Sequence, residues 1–315
     1  MNTVEALYKC QGVVAIGGGH GLGRVVASLG FLGHRMTGIV ATTDDGGSTG
    51  RLRKASGCIA WGDLRNCLNQ LCSDSPNLAR ILFEYRFRDS GELSDHNLGN
   101  LILLAMDQMC VRPMDAINLI RQMLQVDVQL IPMSEQPASL AGFIKGEQVV
   151  GETLIDCLSE RPERLMLLPA IQPTHEAVAA IENADLIILG PGSFMTSVLP
   201  ALLMEDIAEA IADSKALTVF VGNINPEQSS VKTMEIEEKL SWMEEMTGVY
   251  PDVLLWPEER SLEGELNCSV YRQALADHFQ PGVHSREALR QALDGLMLKY
   301  GAMVKKRAED FLCTQ

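Results

Sequence analysis

Five glycines, Gly17, Gly18, Gly19, Gly21 and Gly23, broken only by His20 and Leu22, leave a row of backbone amides with nothing in front of them. A phosphate needs such a surface, because it must approach N–H groups more closely than a Cβ allows. A second stretch holds Asp44, Asp45, Gly46, Gly47, Ser48 and Thr49, with Arg51 and Arg53 close behind. Adjacent aspartates repel a bare phosphate, so they read as ligands for Mg²⁺ or as acceptors for a ribose or base, while the arginines can take phosphate charge. A third stretch, Gly190, Pro191, Gly192 and Ser193, followed by Thr196 and Ser197, puts hydroxyls beside the free amides of a helix start. Polar side chains also stand in apolar surroundings at Asp63 and Asn66, at His96, Asn97 and Asn100, and at Asn223.

Each pattern has a plainer reading. Glycine and aspartate dominate turns for conformational reasons, Asp63 could simply cap a helix, Ser94 or Asp95 could cap the next one, and Ser193 could cap a third. The spacing from Gly17 is neither the dinucleotide fingerprint, which needs a third glycine where Leu22 stands, nor a Walker loop.

The surrounding pattern supplies the elements that must position these groups. Val13 to Ile16 and Thr37 to Thr42 read as parallel strands, joined by a helix whose inward face is Val25, Val26, Leu29 and Leu32. A helix starts near Asp63 with Leu64, Leu68 and Leu71 as its stripe, another runs from the His96 region to about Cys110, and Arg112-Pro113 opens a third through Leu124. Val126 to Ile131 reads as a strand, Ala141 to Ile155 as a hairpin turning at Lys145-Gly146, and Arg164 to Leu168 as a strand. The second half repeats the logic of the first. Asp185 to Leu189 runs into the third glycine stretch and a helix over Val198 to Ala212, Leu217 to Val221 ends at Asn223, and Val253 to Trp256 is a late strand. A helix covers Ser285 to Phe311. Strand, loop and helix in alternation predict an α/β fold with a mainly parallel sheet and a small hairpin insertion, at about 139–155. Ligands of such sheets bind outside the strands' carboxyl ends, so the glycine stretches are expected to line one crevice.

Composition narrows the function. With 41 acidic against 26 basic residues and a formal charge of −15, nucleic acid and anionic membranes are poor partners. No stretch has the ~20 consecutive apolar residues of a membrane span, and the first residues lack a secretory pattern, so a cytoplasmic protein is expected. The eight cysteines form no C-x-x-C pair, and the six histidines form no zinc signature.

GGGHGLG, TTDDGGSTGRLR, WGDLRNCL, LSDHNLGNLILLA and ADLIILGPGSFMTSVLPALL, in this order, resemble the gluconeogenesis factor family of CofD/YvcK-like proteins. The resemblance runs from about Val13 to at least Asn223. It implies a Rossmann-like three-layer fold, taken as one domain over 1–315 with a C-terminal helical segment at about 285–312. The motifs carry ligand-binding roles over to Gly17 to Gly23, Asp44, Asp45, Asp63, Asn66, His96, Asn100 and Gly190 to Ser193, while Asn97 stands where many members have Ser and the run from Asn223 to Ser230 departs from the family pattern. The residues' own chemistry adds Gly46, Gly47, Ser48, Arg51, Asn97 and Asn223 to the expected ligand-binding set and gives Asp44, Asp45 and Asp63 to Mg²⁺. Members resemble 2-phospho-L-lactate transferase, a Mg²⁺-dependent enzyme acting on a nucleoside-diphosphate conjugate. The bacterial factor branch is described as binding a nucleotide sugar, UDP-N-acetylglucosamine, and as needed for gluconeogenic growth and normal cell shape. Two functions follow as expectations: a nucleotide- or nucleotide-sugar-binding regulator, expected as a homo-oligomer, or a Mg²⁺-dependent transferase. A nicotinamide dehydrogenase has only the shape of the fold behind it.

Overall fold

Wholly apolar, largely β-branched segments are suited to a sheet covered on both faces, and five fully buried strands lie side by side in the protein. A computed structural model describes residues 5–72, 78–89, 91–262 and 264–312. The strands are β1 (Val13–Gly17), β2 (Met36–Val40), β3 (Gln129–Pro132), β4 (Ser139–Ile144), β5 (Glu147–Val150), β6 (Arg164–Leu168), β7 (Leu186–Leu189), β8 (Leu217–Val221), β9 (Val253–Pro257) and β10 (Ser269–Gln273). Seven of them form one sheet in the order β10-β9-β8-β7-β1-β2-β3. Every neighbouring pair in it is parallel.

Helices cover both faces. Alternation along β1 sends Val13 and Ala15 to one side, where they pack with Leu22, Val25, Val26, Leu64 and Leu68. Those residues come from α1 (Gly19–Ser28) and α3 (Gly62–Leu71), with α2 (Gly47–Ser56) between them in the chain. Val14 and Ile16 face the other layer, with Phe194, Leu199 and Ile207. The first layer continues with α4 (Leu78–Glu84), α5 (Leu98–Met109) and α6 (Pro113–Met123). It closes with α12 (Arg286–Leu312). The second layer holds α8 (His175–Glu182), α9 (Leu199–Leu202), α10 (Glu205–Asp213) and α11 (Ile236–Thr247). Full burial of each such side chain is worth roughly 1.5–3 kcal/mol, so the two apolar faces are what hold the crevice loops in register.

Several expectations shift. β2 spans Met36–Val40 rather than Thr37 to Thr42, because β1 stops at Gly17 and leaves Ala41 onward without a continuing ladder. β3 begins only at Gln129. The expected hairpin turns at Lys145-Gly146 but ends at Val150; β6 pairs with the other edge of β4 to make three antiparallel strands, and Glu152–Asp156 is a short helix, α7. The single helix expected over Val198 to Ala212 is broken: a π turn over Phe194–Val198 leads into α9, and α10 restarts at Glu205. Pro200 has no N–H to give the preceding turn, which accommodates the widened start. β10 gave no signal in the sequence, being a half-exposed edge strand of mixed polarity. No described helix is long and apolar enough to cross a membrane. The described cysteines are all free.

Candidate functional site

β1 leads to β2 and β3 on one side, whereas β7, on its other side, leads away to β8, β9 and β10. The order of the chain therefore reverses between β1 and β7, and the crevice at such a switch point is where open α/β sheets take their ligands. The first and third glycine stretches leave these two strands, and they touch. The Gly190 amide donates to the Ile16 carbonyl at 2.9 Å. A Cβ on Gly21 would collide with the carbonyl oxygen of Pro191, so the helical start of α1 can sit against the other loop only without a side chain. Asn223, at the end of β8, fixes that loop from the far side: its Oδ1 accepts from the Gly192 amide at 3.0 Å and its Nδ2 donates to the Gly192 carbonyl at 2.8 Å. Gly17 to Gly21, Gly190 to Ser193 and Asn223 are thus one assembly.

Beneath it lies Asp63. It is not a helix cap, as Trp61 holds that position and Asp63 sits in the first turn of α3. Its carboxylate lies under Gly18 and Gly19, accepting from the Gly19 amide and from the side chain of Asn66. Burial, and then the charge of Asp44, push this carboxyl up to about 7. Glu152 is raised well above the usual carboxylate range, by burial first and then by Asp44 and Asp63. Asp44 accepts from the Gly46 amide at 2.9 Å. Asp45 Oδ1 accepts from the amide and hydroxyl of Thr153 at 2.9 and 2.7 Å, at the start of α7, while its charge still bears on Glu152 and Asp156. One oxygen of Asp45 is thus engaged at a helix start, while Asp44 and Asp63 are coupled through their charges beneath the glycine loops. Among the described residues no three His, Cys, Asp or Glu side chains are gathered to hold an ion by themselves. Mg²⁺ nevertheless suits the pair, since it commonly takes one or two carboxylates and completes its shell with water and phosphate. A desolvated carboxyl held near 7 is the group whose ionised form a divalent cation would favour.

The remaining expected residues divide. Ser48 Oγ lies 3.1 Å from His96 Nδ1, accepts from the Asn97 amide at 3.2 Å and from Asn100 Nδ2 at 3.3 Å. These three polar residues therefore tie the start of α2 to the start of α5 rather than lining the cavity beside Gly192. The cap of α5 is Asn97, not Ser94 or Asp95, with its Oδ1 receiving the Gly99 and Asn100 amides. His96 is lowered from its usual pKa by burial and then by Arg51. Arg51 donates to the Ser94 carbonyl at 2.6 Å, and Arg53 donates to the carbonyls of Thr43 and Asp44 at 2.8 and 3.0 Å and to that of Ala138. Arg53 is thus a brace for the second loop, not a free phosphate ligand. Asn66 also accepts from Arg65 at 2.6 Å.

A cavity of about 550 Å³ opens between the loops. His20, Gly21, Pro191, Gly192, Ser193 and Asn223 line it. Its wall also includes Arg24, Asp156, Glu227, Ser229, Gln280 and His284, none of which the sequence marked. Arg24 ties α1 to the distant segment before α12, donating to the His284 carbonyl at 2.8 Å and pairing with Asp277 at 3.0 Å. His284 is held neutral, lowered to about 4 by burial, with its Nε2 2.9 Å from the Gly222 carbonyl. Polar residues without a periodic pattern carry no signal in a single sequence. The one clue to this wall is the turn chemistry of Pro281 and Gly282, which places a loop there but not its neighbours.

Comparison with known proteins agrees with this architecture. The family model described as 2-phospho-L-lactate transferase CofD matches residues 13–291. A protein of Vibrio cholerae named "Putative gluconeogenesis factor" is 49% identical over 292 residues, covering 92% of this chain and 98% of its own. One of the same name from Yersinia pestis is 47% identical, covering 93% and 96%. A crystal structure of a UPF0052 family member from Bacillus halodurans superposes with a TM-score of 0.83 at 30% identity, covering 90% of this chain and 98% of that one.

Proposed function

The chain belongs to the CofD family, and from that premise we propose that it binds a nucleoside diphosphate conjugate across the switch point of its sheet. One observation carries the reading: two glycine loops from adjacent strands meet side by side, with the start of α1 and the turn at Phe194–Val198 both opening at the rim of the same cavity. Helix starts present backbone amides and a positive dipole end, which is the environment a diphosphate requires. The family's description, 2-phospho-L-lactate transferase, supports a nucleotide-type ligand, and the relatives' name, gluconeogenesis factor, supports a role in carbon use. We take a nucleotide sugar such as UDP-N-acetylglucosamine as the ligand, and the protein as a cytoplasmic regulator linking carbon use to cell-wall synthesis and cell shape. Asp44 and Asp63 would hold Mg²⁺, which would neutralise phosphate charge.

A transferase is the second reading, and the specific observation favouring it is Asp63. A buried carboxyl near 7 in a ligand crevice is poised to exchange a proton or to take a metal, and phosphoryl-type transfer needs mainly positioning and charge neutralisation. Thermal unfolding of the protein against a panel of nucleotides and nucleotide sugars, with and without Mg²⁺, tests the common claim. A ligand at 100 times its Kd stabilises by about 2.7 kcal/mol, a shift easily read. A nucleoside diphosphate conjugate is expected to raise the midpoint most, and more so with Mg²⁺. No shift with any nucleotide would overturn the reading. Product formation from the bound conjugate would select the transferase.

A further inference from the structure

α4 carries its apolar stripe on the outside. Leu78, Ile81, Leu82 and Tyr85, the residue that follows the helix, stand at i, i+3, i+4 and i+7 and so share one face. They are 68%, 66%, 41% and 50% exposed, whereas Phe83, on the opposite face, is 6% exposed and belongs to the core. Single exposed apolar side chains need no explanation, but a contiguous apolar face marks a contact. The helix is not free to roll its stripe inward. Asn69 of α3 donates to Glu84, the Leu98 amide donates to the Tyr85 carbonyl at 2.8 Å, and the Phe83 carbonyl lies against Gly99 at the start of α5. Among the described residues no element covers the face.

The charges beside the stripe select the occupant. Arg80 and Glu84 lie on one flank of it, next to Ile81, half-exposed and 3.8 Å apart. They stand equidistant from Leu82 in the chain with opposite signs, which makes the flank self-complementary. When a second α4 packs antiparallel across a twofold axis level with Leu82, Arg80 of each copy meets Glu84 of the other, and Leu78 comes opposite the Tyr85 end. A uniformly acidic or basic partner would instead meet one charge of its own sign. We propose that two copies of the chain pair in this way, stripe against stripe, with Arg80 and Glu84 closing the rim. Four large apolar side chains per copy make a small contact, so the pairing is reversible rather than obligate.

Sedimentation velocity of the full chain, from low micromolar to submillimolar concentration, tests this. A monomer–dimer equilibrium with a Kd on the order of 10 µM is expected. Leu78→Gln together with Ile81→Gln, at the two most exposed positions of the stripe, should weaken it at least about tenfold and leave the chain folded. Arg80→Glu and Glu84→Arg should each weaken self-association about tenfold, since like charges then meet at both ends of the rim. An equimolar mixture of these two variants should recover the pairing, because every rim contact in the mixed dimer again joins opposite charges. A wild-type chain that stays monomeric throughout would overturn the pairing and leave the face to a different partner. A dimer indifferent to the Leu78 and Ile81 substitutions would also overturn it, as would two folded charge variants that fail to pair when mixed. If Glu84→Arg, which loses its bond from Asn69, unfolds, the Leu78 and Ile81 substitutions decide.

Discussion

Asp63 shows how far a single residue type in sequence falls short of its role. As an acidic residue before an apolar stripe it reads as a cap; in the fold it lies beneath Gly18 and Gly19, far back in the chain, and burial there, with the charge of Asp44 added, makes it proton-binding. Its folded pKa of about 7 lies above the 3.8 of an unperturbed aspartate, so the folded chain holds the proton more tightly than the unfolded one. The stabilisation from that proton is complete below about pH 4 and is lost as pH rises through about 7. His284, lowered from 6.5 to about 4, has the opposite sign: its contribution is present above 6.5 and is lost as pH falls toward 4. The wild-type curve mixes the two, and the Asp63→Asn difference separates them. Urea unfolding is expected to find the variant's stability relative to wild type higher at about pH 8 than at about pH 5, and Mg²⁺ to stabilise the wild type alone at the higher pH. A difference independent of pH would show that Asp63 is ionised throughout. Asp45 adds a role that its place beside Asp44 in the chain does not suggest, since its Oδ1 accepts from Thr153 at the start of α7.

Among the elements, the strands of the parallel sheet were legible because burial on both faces leaves runs such as VVAI and LIIL with no polar alternation. The edge strand β10 and the broken helix after Ser193 were not, since half-exposed strands and π turns have no distinctive composition. The contact between loops was legible only in outline: strand carboxyl ends share an edge, but that Gly21 abuts Pro191 depends on β1 and β7 being neighbours. Gly21→Ala makes this testable. In a helix such a change ordinarily stabilises by up to about 1 kcal/mol. Here the new methyl meets the Pro191 carbonyl, and we expect a loss of ~1–3 kcal/mol together with loss of nucleotide binding. Gly30→Ala, with no atom within 4 Å of its added Cβ, is the control and should leave both unchanged. Equal melting temperatures for the two variants would contradict the packed-loop account.

At the scale of the molecule, the order β10-β9-β8-β7-β1-β2-β3 does the placing. It brings the first and third glycine stretches together across the reversal and sets the second beside them, over Asp44 and Asp63. It also lets Arg24 reach Asp277 and His284, so that the C-terminal third, silent in the sequence, walls the cavity. A crystal structure of the protein with its tightest-binding nucleoside diphosphate conjugate and Mg²⁺ tests the central claim most directly. The account predicts the diphosphate between the Gly17 to Gly21 loop and the Gly190 to Ser193 loop, with the metal on Asp44 and Asp63. A diphosphate seated away from both loops, in the groove between α8 and α10 for instance, would contradict it.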